Sequence, residues 1–526
     1  MTYGEKIMMN EQVKQVVVVG GGTAGWLTAA NLAKKFNSIE SGAIQVTLVE
    51  SPDIPTIGVG EGTWPTMRKT LAKLGISEAD FLSKCNASFK QATKFVNWQK
   101  APKNGINSHY YHLFTSINDP LDFNLAPYWK LGMIGDNNSY ADTVSMQAAI
   151  CESGLAPKLI TNREFEGIQN YAYHLDAGLF TDLLREHATS KLGVKHISAN
   201  VTDVNVDDDG YIKNIHCDSV GAVSGDFFVD CTGFKSLLIG KALGIPFKSI
   251  KDTLLCDHAL AIQVPYDNEE SPIASCTIST AQEAGWTWDI GLSNRRGTGY
   301  VYSSAHTSHE RAEQVLREYI GPQAEQLESR LIKMNVGYRE KFWHKNCFAI
   351  GLSAAFVEPL EASAIFLIEA SANMLSELFP RDRHAMLAVE KKVNKSFKFR
   401  WDKTIAFIKM HYFLSKRTEP FWQDNKAVST VPETLLASLD SWKHQLMTGY
   451  DFDNVYEPFP LDSYQYVLYG MGFEQALTFN ESSYSQQDFA KQQYDTVQEL
   501  TQKMQQQLPE NRALLSKIAQ YGFQKI

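Results

Sequence analysis

Three glycines near the start of the chain have the spacing of a phosphate-binding turn. Gly20, Gly22 and Gly25 form the pattern G-x-G-x-x-G. Between a strand and a helix, such glycines make the tight turn, let the backbone approach a pyrophosphate, and let helix and strand pack closely. The first amides of the helix then face the phosphates at the positive end of the helix dipole. This chemistry requires a strand before the glycines and a helix after them.

The flanking sequence supplies both elements. Residues 15–19 (QVVVV) are typical of a strand buried on both faces, and TAGWLTAANLAKKF from Thr23 onward predicts a helix. A second strand is predicted over 44–50, and it ends at Glu50, where an acid binds ribose hydroxyls. The Gly- and Pro-rich loop 51–62 follows and is placed to cross a bound cofactor. We therefore predict a dinucleotide-binding protein.

A second informative stretch lies between residues 356 and 370. Pro359 disfavours helix at Glu358, so a buried helix is expected to start near Glu361. The small residues 362–364 leave its first turn free of bulk, and bare helix amides bind anions such as a flavin ring oxygen or a halide. The alternative, a capped core helix, stays open from this segment alone.

Composition limits the classes of function. A net charge of −9 gives no basic surface for nucleic acid, and the absence of any long apolar run predicts no membrane span. The polar N-terminus predicts no signal peptide. Seven scattered cysteines without a C-x-x-C pattern argue against a disulfide framework and against a metal site, and they suit a reducing cytoplasm.

The elements that position these residues follow in a recognisable order. After the nucleotide strand and helix, a β-hairpin is predicted around Asp207–Gly210, and a strand is predicted over 226–230 before Thr-Gly. The aspartates of that turn lack the alternating ligand spacing of a calcium loop. A further short strand is predicted near 345–351, and the chain is mostly helical from about residue 385. This is the layout of flavoproteins with two dinucleotide folds.

Several motifs in this order resemble the flavin-dependent tryptophan halogenase family over nearly the whole chain, more strongly before Leu375 than after it. The matching motifs are Gly20–Trp26 (GGGTAGW), Ile57–Glu61 (IGVGE), Phe89–Lys90, Lys94–Trp98 (KFVNW), Tyr111–Phe114 (YHLF), Trp286–Trp288 (WTW), Gly351–Ser353 (GLS) and Glu358–Glu361 (EPLE).

The resemblance implies an α/β fold. It consists of a Rossmann-like FAD-binding domain with a β-sheet substrate region, followed by a mostly helical C-terminal part. We expect residues 1–380 to form the FAD-binding and halogenation module, with an aromatic-rich substrate-pocket segment inserted at about 95–175. Residues 381–526 are expected to cover the substrate.

The resemblance also implies a mechanism and partners. Reduced FAD from a separate flavin reductase, oxygen and chloride or bromide give hypohalous acid, which passes through an internal tunnel to Lys90. Glu361 is the partner carboxylate that orients the oxidant or helps to remove the ring proton. A desolvated lysine loses its charge readily, so the two alternatives are a neutral amine that carries halogen and an ammonium that hydrogen-bonds the oxidant. A homodimer is suggested by the resemblance only.

The resemblance assigns the remaining site residues by position. The residues expected to contact FAD are Gly20, Gly22, Thr23, Ala24, Gly25, Glu50, Ser51, Ile57, Val59, Gly62, Val201, Leu352 and Ile365. Halide is expected at the amides of Ser363 and Ala364. The residues expected to contact a small aromatic substrate are His112, Phe114, Phe459 and Ser463.

The chain departs from the family pattern at three places. Gly291 replaces the proline of W-x-W-x-I-P, and Ala362-Ser363-Ala364 replaces Ser-Thr-Gly, which leaves the halide open and makes bromide plausible. Ala364 is less permissive than glycine where φ must be positive. No pair that recognises the ammonium and carboxylate of tryptophan is evident, so we expect an indole-like or larger aromatic. The alternatives are a flavin hydroxylase of the same fold and a flavin-binding homologue without activity.

Overall fold

The computed structural model describes residues 12–54, 60–117, 123–135, 138–452 and 454–523. The strands are β1 (Gln15–Val19), β2 (Gln45–Glu50), β3 (Gly60–Gly62), β4 (Ser88–Lys90), β5 (Ala92–Val96), β6 (His109–Leu113), β7 (Ala172–Asp176), β8 (Lys195–Ser198), β9 (Val201–Val206), β10 (Ile212–Cys217), β11 (Gly221–Ser224), β12 (Phe227–Asp230), β13 (Phe247–Ser249), β14 (His258–Pro265), β15 (Thr277–Gln282), β16 (Gly285–Gly291), β17 (Arg295–Tyr302), β18 (Ser329–Lys333), β19 (Gly337–Arg339), β20 (Trp343–His344), β21 (Cys347–Ala349) and β22 (Ala355–Phe356). The α-helices are α1 (Thr23–Phe36), α2 (Thr66–Leu74), α3 (Glu78–Lys84), α4 (Ala126–Lys130), α5 (Tyr140–Val144), α6 (Gln147–Glu152), α7 (Ala177–Lys191), α8 (His309–Ile320), α9 (Ser363–Glu377), α10 (Arg383–Phe413), α11 (Pro420–Asn425), α12 (Glu433–Trp442), α13 (Leu461–Gly470), α14 (Gln487–Gln507) and α15 (Asn511–Tyr521).

The nucleotide-binding sheet has the strand order β20-β21-β12-β1-β2-β8. The pairs from β21 to β8 are parallel, and β20 pairs antiparallel at the edge. The four valines of β1 are buried at the centre of this sheet, which is what a strand covered on both faces requires. The predicted strand–turn–helix unit is therefore confirmed.

A second sheet, of order β18-β14-β17-β16-β15-β5-β6, forms the substrate region. A small sheet, β3-β7-β4, lies where the two regions meet, and β7 pairs with both of its neighbours. This arrangement places Gly62, at the end of β3, and Lys90, at the end of β4, on either side of one strand. The fold thus brings the end of β3 close to the side chain of Lys90.

The C-terminal part is mostly helical, as predicted, and it packs back onto the sheets. The long helix α10 passes beside the substrate region, with Phe407 and His411 fully buried. At the far end, the Asn511 side-chain amide donates to the carbonyl oxygen of Phe89 at 3.3 Å. The predicted hairpin is also confirmed, since β9 and β10 pair antiparallel and the Gly210 amide donates to the Asp207 carbonyl.

In the described ranges, neither a candidate membrane span nor a candidate metal cluster is present. Within those ranges, no helix combines the length and apolar character needed to cross a lipid bilayer. Within the same ranges, histidine, cysteine and acidic side chains form no group of three or more that could hold a metal ion. None of the seven cysteines forms a disulfide bond.

Candidate active site

A single cavity of about 500 Å³ connects the glycine turn with Lys90. Its wall begins at the Gly20–Ala24 turn and at Glu50, passes Gly62, and includes Lys90. Trp286 and Trp288 lie on the same wall. The cavity therefore links a nucleotide-binding turn to a buried amine through the protein interior.

The glycine turn leaves room for a phosphate. Gly20 has φ +115°, and a Cβ there would lie 2.2 Å from the carbonyl oxygen of Cys231. A Cβ on Gly25 would lie 1.8 Å from the Gly20 carbonyl oxygen, so this glycine permits close packing of helix and strand. A Cβ on Gly22 would meet nothing within 4 Å, and no side chain caps the N-terminus of α1. Open space before bare helix amides fits the pyrophosphate of FAD.

The cavity brings together most of the residues expected to contact FAD. Those that line it are Gly20, Gly22, Thr23, Ala24, Glu50, Ser51, Gly62, Val201 and Leu352. Gly25 and Ile365 lie behind the wall, Gly25 in the strand–helix contact and Ile365 in the hydrophobic core. Ile57 and Val59 fall outside the described residues.

Glu61 also lines the cavity, although we did not select it from the sequence. Burial raises the pKa of Glu61 to about 7. The sequence signal was its place at the end of the motif Ile57–Glu61. Glu61 can therefore exchange a proton near neutral pH at the cavity wall.

Lys90 is buried at the inner end of the cavity, with 1% of its surface exposed. Burial lowers the pKa of its ammonium to about 8, although the negative charge of Glu361 opposes that shift. Its Nζ lies 5.2 Å from the centre of the Phe114 ring. A Cβ on Gly62 would lie 3.1 Å from the same Nζ, so glycine leaves the space that the amine occupies.

Glu361 is held by two histidines. His112 Nδ1 lies 2.8 Å from Oε2 in a hydrogen bond. His411 Nε2 lies 2.8 Å from Oε1, although it is not in line for a regular hydrogen bond. Burial alone would raise the pKa of Glu361, but the two histidines lower it to about 2. Glu361 is therefore an anion at neutral pH.

His411 was not selected from the sequence. It has a second polar neighbour besides Glu361, which is Tyr110. The Tyr110 hydroxyl lies 2.7 Å from His411 Nδ1. Both residues are buried. The only sequence signal for His411 was a histidine inside the apolar helical run FIKMHYFL.

Trp286 and Trp288 follow the family pattern and face the cavity, although both are buried. The Trp286 indole donates to Glu358 Oε1 at 3.1 Å, and the Tyr412 hydroxyl donates to the same oxygen. Burial raises the pKa of Glu358 to about 7. The departure at Gly291 has a packing reason, because a Cβ there would lie 2.9 Å from Ile273 Cγ2.

The helix expected near Glu361 starts two residues later, at Ser363. Ala362 is left-handed, with φ +50°, and it turns the chain into the helix. Ala364 lies within the first helical turn and has no positive φ, so its Cβ does not strain the backbone at this position. No side chain caps this helix, and residues 362–364 line the cavity. Its first amides can therefore receive an anion.

The residues expected to bind substrate do not line the cavity, and His112 among them contacts the Glu361 carboxylate. Phe459 stacks on Phe407 with ring centres 3.9 Å apart, and Phe407 lies 5.7 Å from the His112 ring. The face of the Phe114 ring lies next to the Lys90 ammonium. Ser463 lies in the first turn of α13 and is buried. Phe407 and Phe459 therefore form an aromatic stack beside His112.

A family model described as tryptophan halogenase matches residues 15–482. The chain belongs to the tryptophan halogenase family.

Relatives of this halogenase cover most of its length. The tryptophan 6-halogenase SttH of Streptomyces toxytricini is 37% identical over 481 residues, which are 87% of this chain and 89% of the relative. The tryptophan 7-halogenase RebH of Lentzea aerocolonigenes is 36% identical and covers 80% of each chain. The crystal structure of a tryptophan halogenase from Shewanella frigidimarina superposes with a TM-score of 0.94 at 44% identity, covering 99% of this chain and 100% of that one.

These matches define the reaction class of the halogenase. It is an FADH2-dependent enzyme that uses chloride or bromide to halogenate an aromatic substrate, and reduced FAD comes from a separate flavin reductase. The hydroxylase alternative is not supported. The predicted α/β flavoprotein fold with a helical C-terminal part is confirmed.

Proposed function

We propose that Lys90 holds hypohalous acid against an electron-rich aromatic ring and that Glu361 receives the ring proton. The observation that carries the proposal is the joint position of Lys90, at the inner end of the FAD cavity, and the ionised Glu361 nearby. Reduced FAD supplies the oxidant from oxygen and halide. The wall of the cavity, including the two tryptophans, excludes bulk water and protects a reactive species.

Of the two alternatives for Lys90, the charges favour the ammonium. With a pKa of about 8, the protonated form predominates at pH 7. The anion of Glu361 and the face of the Phe114 ring both stabilise a positive charge. The ammonium hydrogen-bonds the oxygen of hypohalous acid and directs its halogen toward the ring.

Lys90 and Glu361 each transfer one proton during halogenation of the ring. The new carbon–halogen bond forms as the halogen–oxygen bond breaks, and Lys90 gives its proton to the departing hydroxide, which leaves as water. Glu361 takes the proton from the halogenated ring carbon and returns it to Lys90. Oε1 of Glu361 is suited to this role because it accepts no linear hydrogen bond, whereas Oε2 is occupied by His112.

The halide site that we propose lies at the start of α9. The amides of Ser363 and Ala364 begin an uncapped helix on the cavity wall. These backbone donors carry partial positive charge and do not require a particular ion radius. We expect bromide to be used as well as chloride, which competition between the two ions would measure.

We propose an indole-like or larger aromatic, rather than free tryptophan, as the natural substrate. The carboxylates near Phe459 are already engaged. Lys403 lies 3.0 Å from Glu457, and Asp462 accepts from the Ile117 amide at 3.3 Å. Each carboxylate therefore already has a partner within the protein, which makes it less suited to recognise the ammonium of free tryptophan.

A reaction with purified protein, FAD, NADH and a flavin reductase tests the reaction and the substrate class. Indole, tryptophan and several phenols are offered with bromide or chloride, and products are identified by mass spectrometry. We expect halogenated indole from the wild type and from Lys94→Ala, a matched control whose lysine pairs with Glu152. Lys90→Ala should bind FAD and give no halogenated product. Halogenation by Lys90→Ala at the wild-type rate would overturn the role of this residue.

Two further features belong to the proposal. We propose a homodimer, following the family resemblance, and a reducing cytoplasmic setting, which suits the seven unpaired cysteines. The boundary near residue 380 between the FAD module and the covering region stays a prediction. Size-exclusion chromatography with light scattering would measure the oligomeric state.

A further inference from the structure

A chain of polar contacts enters the hydrophobic core from Glu361. The Tyr110 hydroxyl, His411 and the Glu361 carboxylate follow one another at 2.7 and 2.8 Å. Tyr110 lies on β6, His411 lies on α10, and Glu361 directly precedes the turn into α9. The contacts therefore join three elements that are distant in sequence.

The two neighbours of His411 determine its tautomer. Nε2 faces a carboxylate, which repels a lone pair and attracts an N–H. Nδ1 must then be the acceptor, and the Tyr110 hydroxyl donates to it. Burial lowers the pKa of His411, so the ring is neutral at pH 7. A neutral ring between these partners has one favourable orientation.

The surroundings of this pair are apolar. The Phe95 ring stacks on Tyr110 at 4.9 Å and lies 4.7 Å from His411. Trp98 and Phe407 also contact the imidazole. Burying a hydroxyl and an imidazole among aromatic rings is unfavourable unless their hydrogen-bonding groups are used. Here the hydroxyl is directed at His411 Nδ1, and the imidazole Nε2 is directed at the Glu361 carboxylate.

We propose that Tyr110 and His411 form a positioning pair that fixes the orientation of the Glu361 carboxylate and keeps it ionised for the removal of the ring proton. The inference rests on the role proposed above for Glu361. His112 holds Oε2 and His411 faces Oε1, so the carboxylate is restrained from two sides. Each member of the pair acts through Glu361, Tyr110 by way of His411.

The titratable groups around Glu361 determine the effect of removing the pair. They are Lys90 on β4, His112 and Tyr110 on β6, and His411 on α10. Other buried glutamates of this protein that lack a histidine partner, Glu358 and Glu369, have pKa values of about 7. Without His411, Glu361 keeps His112, the larger cause of its low pKa, so its pKa should move part of the way toward that value and the group should become protonated at the acid end of the working range.

The test is the pH profile of aromatic halogenation from pH 5 to pH 8.5, measured for wild type, His411→Leu, His411→Gln and Tyr110→Phe. The wild type should show no fall in rate caused by protonation of Glu361 in this pH range. His411→Leu should gain an acid limb above about pH 5. If its apparent pKa reaches 7, the rate at pH 6 falls about tenfold relative to the plateau. Gln keeps an N–H near Nε2 and should restore most of the wild-type profile.

Tyr110→Phe tests the hydroxyl of the pair without disturbing the aromatic packing. The variant keeps the ring that stacks on Phe95 and loses only the hydroxyl that donates to His411. We expect the halogenation rate of this variant to fall at acidic pH as well, at a lower pH than in His411→Leu. Its FAD binding should be unchanged. This variant also keeps the inference testable if His411→Leu does not fold.

Two controls distinguish the possible failures. Glu361→Gln should not halogenate the aromatic at any pH, although a small trap should still detect hypohalous acid. If Glu361→Gln halogenates normally, the proposed role of Glu361 fails and the positioning pair fails with it. If Glu361→Gln is inactive but Tyr110→Phe and every folded His411 variant keep the wild-type profile, only the positioning pair is refuted. A uniform loss in His411→Leu that His411→Gln does not reverse would also refute it.

Discussion

Replacing Lys90 with methionine should make the protein more stable while removing its activity. Methionine has a similar length and carries no charge, so it fills the buried site without an ammonium to desolvate. Lys90 is 1% exposed, and burial is the main cause of its lowered pKa. Burying this charge therefore costs stability in the wild-type protein.

The size of the effect follows from the pKa. A drop from 10.5 to about 8 corresponds to a cost of about 3 kcal/mol at pH 7, since each pKa unit is worth about 1.4 kcal/mol. Between pH 8 and 10.5 the unfolded chain binds more protons at this lysine than the folded protein does. The wild type therefore gains stability as the pH rises through this window, and the advantage of Lys90→Met shrinks.

Urea unfolding at several pH values between 7 and 10 measures the difference. We expect Lys90→Met to raise the unfolding free energy by up to about 3 kcal/mol at pH 7 and by progressively less toward pH 10. Lys213→Met, at an exposed lysine on β10, is the control and should change little. A Lys90→Met variant that is no more stable than wild type at pH 7 would contradict the desolvated state of this amine.

Three other substitutions probe the cavity. Gly20→Ala should weaken FAD binding by tenfold or more in a flavin fluorescence titration. The new Cβ would lie 2.2 Å from a backbone carbonyl oxygen, at a residue whose φ is +115°. An unchanged affinity for FAD would exclude strain at this turn. Gly62→Ala, with its Cβ 3.1 Å from Lys90 Nζ, should slow aromatic halogenation but not hypohalous acid formation; equal slowing of both would place the effect at the flavin instead. Trp286→Phe removes a hydrogen bond to the buried Glu358 and should lower the unfolding free energy by about 1–3 kcal/mol in urea; no change would indicate that Glu358 is satisfied without the indole.

Local sequence was sufficient to predict the nucleotide-binding unit. The valine strand, the glycine spacing and the hairpin turn each depend on neighbouring residues, so periodicity and turn chemistry identify them. The start of α9 was missed by two residues because Ala362 adopts a left-handed conformation. An alanine gives no sequence signal for that conformation, which glycine or asparagine would have given.

The surroundings of Glu361 could not be predicted in the same way. His411 and Tyr110 are separated from it by long stretches of chain, and their contacts depend on how α10 packs against the sheet containing β6. The resemblance supplied Lys90, Glu361 and His112, but it gave no reason to select a histidine in an apolar helical run. Tertiary packing, which sequence periodicity does not encode, brings this histidine to the carboxylate.

The transfer of the oxidant through Lys90 can be measured directly in a single turnover. Wild type and Lys90→Met are loaded with reduced FAD and bromide, then mixed with oxygen and indole, and bromoindole and trapped hypobromous acid are measured together. We expect the wild type to give mainly bromoindole, whereas Lys90→Met should give as much total oxidant, all of it recovered by the trap. Bromoindole formed by Lys90→Met in the wild-type amount would contradict the transfer of the oxidant through Lys90.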